Sequence, residues 1–226
     1  LSTFSRNGGM LGTMTVDRTG SDGTIMSLQR DGTSQGTISI SGTTTSYNAF
    51  MGSHWSQLAH NDTGIDSLKL GTVMETIDEM CFWKYDHDLI NNTSVLYTGP
   101  LNPDETYEDA DGNLHKIEED VNDRLPRSKI STTIKSKSVY GVFFAYDNGD
   151  GSEDFLIASL GAGYVRMNAD QMPQIGDLVE SAGNGCAQIQ IDDIVRSSTI
   201  GKITATIRTV TYDDGSYVIP CVLYCG

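Results

Sequence analysis

Basic side chains are scarce in this chain. Fifteen Lys and Arg stand against 30 Asp and Glu, a formal charge of −15 over 226 residues. Binding a polyphosphate needs basic patches, so no nucleic-acid partner is expected. Apolar runs are short, and none approaches the roughly 20 residues a membrane-spanning helix requires, so membrane insertion is not expected. A signal-peptide pattern is absent, and a start at Leu1 rather than Met is expected of a fragment or a processed product. Cysteine is sparse and lacks metal-finger spacing. Cys81, Cys186, Cys221 and Cys225 contain no C-x-x-C pair, so free thiols packed in strands are expected. No stretch repeats apolar residues at helical spacing, and no cofactor or metal is expected.

What is present is Gly, Ser and Thr, concentrated in the first ~46 residues. Gly-Thr recurs at Gly12, Gly23, Gly32, Gly36 and Gly42 beside short runs such as Met14-Thr15-Val16, Ile25-Met26-Ser27-Leu28 and Ile38-Ser39-Ile40. Apolar residues at mostly every second position signify extended strands with one dry face. Asp22-Gly23 and Asp31-Gly32 are turn dipeptides. Each strand brings two or three apolar side chains, whereas ordering a backbone costs about 1–2 kcal/mol per residue. A single copy cannot offset that cost, so residues 1–50 are expected to be stable only as an oligomer, a trimeric β-prism or intertwined stalk.

Residues 51–226 are expected to form a β-rich terminal domain. Thr72-Val73 and Thr76-Ile77 favour a strand. Residues 85–126, with Pro100, Pro103, Pro126 and nine acidic side chains between 104 and 123, read as a solvated excursion. Beyond it, strands are expected at 139–146 and 155–165. Further hairpins are expected around Ser181–Gly185 and around Asp213-Asp214-Gly215. Regular strand spacing with turn signals and few helices predicts a mainly β chain ending in a barrel- or sandwich-like domain.

Chemistry is most plausible at Gly52-Ser53-His54. An imidazole within reach activates a hydroxyl, and a glycine ahead of the serine allows the bend in which Ser53 attacks its preceding carbonyl. Neighbours on a strand point to opposite faces, so His54 serves only if the chain turns there. Otherwise His60 or a residue of another copy is needed, or His54 is simply buried beside Trp55. The one enzymatic reading is therefore an autocatalytic serine-type self-cleavage by Ser53 and His54. Asp109-x-Asp111-Gly112-Asn113 and Asp147-x-x-Asp150-Gly151 lack the remaining calcium-loop ligands and read as acidic turns. Phe82, Trp83, Tyr85 and Tyr107, set among carboxylates, are candidates for a glycan-binding face, against the plainer reading that they pack a hairpin.

Two stretches carry a resemblance. Ser21-Asp22-Gly23-Thr24-Ile25 through Ile38-Ser39-Ile40-Ser41 resembles the repeat near the C-terminal ends of tailed-phage tail fibres and tailspikes. Leu125-Pro126-Arg127 through Asp192-Asp193-Ile194-Val195-Arg196 to Gly201-Lys202 is similar to the terminal domain of phage structural proteins. The resemblance implies a homotrimeric virion appendage, attached to an upstream shaft or other virion proteins and assembled in the host cytoplasm. Its terminal domain is then an intramolecular chaperone or a receptor-binding tip for a host glycan. Self-cleaving relatives carry Ser-Asp-x-Arg-Leu-Lys after the Thr/Ser-rich strand. Here the sequence is Gly52-Ser53-His54-Trp55-Ser56-Gln57-Leu58, and only Ser53 carries over, by position.

Overall fold

The computed structural model describes residues 16–30, 32–48, 51–59, 64, 68–146 and 154–225. The fold is mainly β, with 59% of the described residues in strands. The chain divides into two compact units, Leu1–Phe50 and Met51–Gly226.

The first unit holds β1 (Gly23–Arg30), β2 (Thr33–Ser41) and β3 (Thr44–Asn48), in an antiparallel sheet ordered β1-β2-β3. Met26 pairs with Ile38, and Ile38 with Tyr47. Because side chains alternate across a strand, Met26, Leu28, Ile38, Ile40 and Tyr47 share one face. The other face is hydroxyl-bearing: Thr24, Ser27, Thr37, Ser39, Ser41, Thr44 and Ser46. Gly42, at φ 56°, turns β2 into β3, and the Asp22 carboxylate pins that turn by accepting from Gly42 N (3.0 Å) and Ser41 Oγ (3.2 Å). Asp22-Gly23 is thus a clamp on a neighbouring turn rather than a turn between strands. Asp31 and Met14-Thr15 lie outside the described residues. None of the described side chains of this unit is fully buried, and Leu28 (53%) and Tyr47 (65%) are exposed.

The second unit contains β4 (Met51–Ser56), β5 (Val73–Asp88), β6 (Thr93–Leu96), β7 (Thr106–Glu108), β8 (Leu114–Ile130), β9 (Val139–Tyr146), β10 (Phe155–Met167), β11 (Leu178–Ser181), β12 (Ala187–Ile189), β13 (Thr199–Ile203), β14 (Val210–Thr211) and β15 (Tyr217–Tyr224). Five strands close a barrel: β10 pairs β15, β15 pairs β13, β13 pairs β11, β11 pairs β12, and β12 returns to β10 through the parallel pair Met167↔Ala187. Val165, Met167, Val179, Ile200, Ile203, Ile219 and Leu223 fill it. The anticipated final hairpin forms with an interruption. β14 pairs β15 next to Asp213-Asp214-Gly215 and β13 pairs β15 farther out, and residues 204–209 leave the ladder between them.

The N-terminal half of β10 serves a second, half-barrel sheet. It pairs β4 on one edge and β9 on the other, and the order continues β9-β5-β8-β7. The sheet curls until the chain just past β4 meets β8 through the bridge Leu58↔Ser128. Leu58, Leu68, Met74, Phe143, Phe155 and Ile157 form its core.

The stretch 85–126, expected to be a solvated excursion, is built on strands and stays largely exposed or half-buried. Tyr85–Asp88 and 114–126 are parts of the two longest strands, of 16 and 17 residues, and Ile117 is fully buried. Pro126, taken as a boundary, lies inside β8 at the register shift opposite Met80, where no ladder N–H is required. Its carbonyl accepts from Ser56 Oγ (3.1 Å). Pro220 is tolerated within β15 for a related reason. Its carbonyl accepts from Thr204 N, so its imide side also faces past the end of β13.

Gly141, at φ 150°, passes so close to β10 that a Cβ there would lie 2.4 Å from the Ala158 carbonyl oxygen. Gly141→Ala combines backbone strain with overpacking and is expected to cost about 3 kcal/mol. Urea unfolding of the intact chain checks this, as a lower midpoint with an unchanged slope.

Candidate functional site

Ser53 and His54 lie in the regular part of β4, opposite Ala158 and Ile157. Gly52 is not bent there: it pairs in the ladder with Leu160, and a Cβ would come within 3.2 Å of the Leu160 side chain. The glycine therefore serves a close approach of strands, not a strained peptide. Ser53 is exposed, whereas both His54 ring nitrogens are buried without a hydrogen-bond partner. His54 shares the face of Ile157 and Phe143, and its ring lies tilted by 31° against Tyr140, with centroids 4.1 Å apart. The expected Ser53–His54 pair is not assembled, because alternation sends its members to opposite faces. Burial pushes the His54 imidazole below its ordinary value of 6.5. His60 lies outside the described residues.

The four aromatic candidates separate in the same way. On β5, Phe82, Lys84 and Asp86 face one side, and Trp83, Tyr85 and His87 the other. Tyr107, on β7, joins the Phe82 side, so the four rings do not build one sugar platform. Phe82 lies under the Arg127 guanidinium at 4.8 Å. Its backbone is bonded at both polar groups by the Gln57 amide, 2.8 Å from O and 3.1 Å from N. Gln57 also donates to Asp154 Oδ1 (2.8 Å), and the Trp83 indole N–H donates to the other oxygen of the same buried carboxylate. Phe82 and Trp83 are thus held in a buried seam joining β4, β5 and β10.

Tyr107 belongs to a different network. Its hydroxyl donates to Asp86, which also accepts from His115 Nδ1 (2.9 Å), and His115 Nε2 faces Asp109 Oδ2 at 3.3 Å. The Tyr107 and His115 rings stack at 4.9 Å. The Asp86 hydrogen bond pushes Tyr107 up to about 12. The Asn113 amides hold Asp109 down to about 2. With a carboxylate at each nitrogen, His115 satisfies both only when doubly protonated, and Asp86 chiefly raises its value above 6.5. This imidazole has no free nitrogen to offer a substrate. It is a clamp on the β7–β8 hairpin. Asp109-x-Asp111-Gly112-Asn113 is an acidic turn whose first carboxylate accepts from Asp111 N and Asn113 N. Among the described residues no group of three His, Cys, Asp or Glu side chains is arranged to hold a metal. Asp147–Gly151 lies outside them. All four thiols are free, and burial raises Cys221 and Cys225 to about 12.

On the Trp83–Tyr85 face, cross-strand pairing puts Glu118 opposite Tyr85 and Lys116 opposite His87. Lys116 bridges Asp104 at 2.9 Å and approaches Glu118 at 4.0 Å. Pro103, Asp104, Lys116, Glu118 and Glu119 line an open notch of about 360 Å³. Asp104, Lys116 and Glu118 were not singled out from sequence. A usable sign for the hairpin network was the Asp109–Asn113 turn, which sets Tyr107 and His115 symmetrically about it. Comparison with protein-family models, curated proteins and solved structures returns no match.

The two histidines titrate in opposite senses. His115, raised, contributes stability that is complete below 6.5 and is lost as pH rises through its folded value. His54, depressed, contributes stability that is present above 6.5 and is lost as pH falls toward its folded value. Side-chain NMR of the native chain is expected to show midpoints above 6.5 for His115 and below it for His54. His54→Phe removes only the acid-side loss of stability, read by unfolding at several pH values.

Proposed function

We propose that the chain is the distal, C-terminal part of a homotrimeric tailed-phage fibre, spike or related appendage. In this reading it is a virion structural protein whose first unit is an intertwining β-element and whose second unit is a terminal domain. One observation carries the reading: the β1–β3 sheet has an apolar face of Met26, Leu28, Ile38, Ile40 and Tyr47, yet no fully buried side chain among those described. A three-stranded sheet with only two or three apolar side chains per strand gains too little from burial to offset the ordering of its backbone, about 1–2 kcal/mol per residue, unless its dry face is covered. Further copies of the same face supply the cover, and the hydroxyl face suits water. The acidic charge of −15 agrees with a partner that is protein rather than nucleic acid. No helix of the described residues is long and apolar enough to cross a membrane.

A terminal domain that assembles and stays attached fits better than one that cuts itself loose, since Ser53 has no base beside it on β4. Replacing Ile38, at the centre of the dry face, by Asp is expected to abolish assembly while the second unit keeps its cooperative unfolding, as seen by light scattering and circular dichroism. An unchanged oligomeric mass in Ile38→Asp would contradict the reading. On a denaturing gel wild type and Ser53→Ala are expected to migrate alike, as the intact chain; a wild-type fragment boundary near residue 52 that Ser53→Ala abolishes would establish self-cleavage instead.

Host-glycan recognition belongs on the Trp83–Tyr85 face, where the notch brings Asp104, Lys116 and Glu118 to hydroxyl-bonding positions beside an aromatic strand. Tyr85→Ala is expected to abolish glycan-array binding, whereas Tyr107→Phe, on the opposite face, leaves it intact.

A further inference from the structure

The closed barrel has one end that opens away from the half-barrel sheet. Met167↔Ala187, Met167↔Tyr217 and Leu178↔Lys202 bring the C-terminal ends of β10, β12 and β13 beside the starts of β11 and β15. Three connections leave from this end, at 168–177, 190–198 and 204–209. Each displays bare aliphatic side chains: Met172 (84% exposed), Ile175 (71%), Ile191 (88%) and Ile207 (71%). The loops that carry them are fixed. Gln171 Oε1 accepts from Ile189 N (2.9 Å) and Gln171 O from the Tyr217 hydroxyl. Asp177 accepts from Gln174 N (2.8 Å), and the Gln190 amide donates to Ile194 O (2.7 Å). An ordered crown of this kind is unusual on a chain that works alone.

We infer that this end of the barrel is a self-association surface, covered by the same end of another copy of the chain. The charge pattern selects that occupant. Around these connections the exposed charges are of both signs, Lys202 and Arg208 against Asp170 and Asp193, with Asp192 and Arg196 paired to each other, within a chain of net charge −15. A mixed rim is complementary to itself, whereas a polyanion or a strongly basic partner would require a rim of one sign. The inference rests on the homotrimer reading for its strength, since copies already joined through the first unit meet at a raised effective concentration.

Peroxide oxidation of Met172, read by peptide mass spectrometry across protein concentration, tests it. In the wild-type assembly Met172 is expected to oxidise on the order of tenfold more slowly than in a free peptide. Ile191→Asp, at a site exposed enough not to disturb folding, is expected to restore the free rate while the assembly held by β1–β3 keeps its mass. In Ile38→Asp, protection is expected to survive only at high protein concentration. A wild-type assembly whose Met172 oxidises at the free rate overturns the crown alone and leaves the homotrimer reading standing. A monomeric wild-type chain with bare Met172 overturns both, and protection in a monomer means the crown is covered from within its own chain, which also overturns it.

Discussion

A sheet of three strands has two faces and no interior. In the first unit one face is mainly apolar and the other hydroxyl-bearing, a sorting set by the pairs Met26↔Ile38 and Ile38↔Tyr47, with Thr45 the hydroxyl opposite Ile40 on the apolar side. Burial of apolar surface is the dominant stabilising effect in folding. Here it has to come from outside the sheet. The proposed role as a subunit of an assembly rests on that shortage, and the second unit, with its two buried apolar clusters, is not subject to it.

The second unit is self-sufficient because β10 works twice. Its first half shares its neighbours with the half-barrel and its second half helps close the barrel, so two apolar clusters abut along one strand. Buried polar groups stitch the surrounding segments and are mostly answered. Asp154 receives Gln57 and Trp83, and Glu75 receives Ser131 (2.7 Å) with Lys129 at 3.6 Å. Asp214 is held well below the carboxylate range, first by Lys69 and then by Ser216, and it also binds Arg166 at 2.6 Å. Among the described residues His54 is the exception, a ring with both nitrogens buried and unpartnered where a hydrophobic side chain would serve. Such an unanswered group is expensive to bury, which makes β4 the acid-sensitive edge of the domain.

Much of the strand pattern was legible. The run Val139–Tyr146 coincides with β9, Ile38-Ser39-Ile40 falls in β2, and Ala187–Ile189 pairs across the Ser181–Gly185 loop as expected. Those strands have simple alternation and Gly- or Asn-marked turns. The stretch 85–126 was not legible, because the part of β8 around Ile117 sends charged side chains to both faces. Register shifts between Thr76 and Phe82 break the period further. Closure of the barrel rests on a single parallel residue pair, which has no local sign. At the candidate site, alternation already argued that Ser53 and His54 diverge, and they do. The same rule, applied to β5, would have separated Phe82 from Trp83. Clustering of aromatic letters in a sequence does not mean clustering in space.

The central claim is that the β1–β3 sheet is completed by copies of itself. Sedimentation equilibrium of the intact chain across a wide concentration range tests it most directly. The account predicts a species of three times the 24.5 kDa chain mass. A single-chain mass at every concentration, with the amides of β1–β3 protected from exchange, would contradict it.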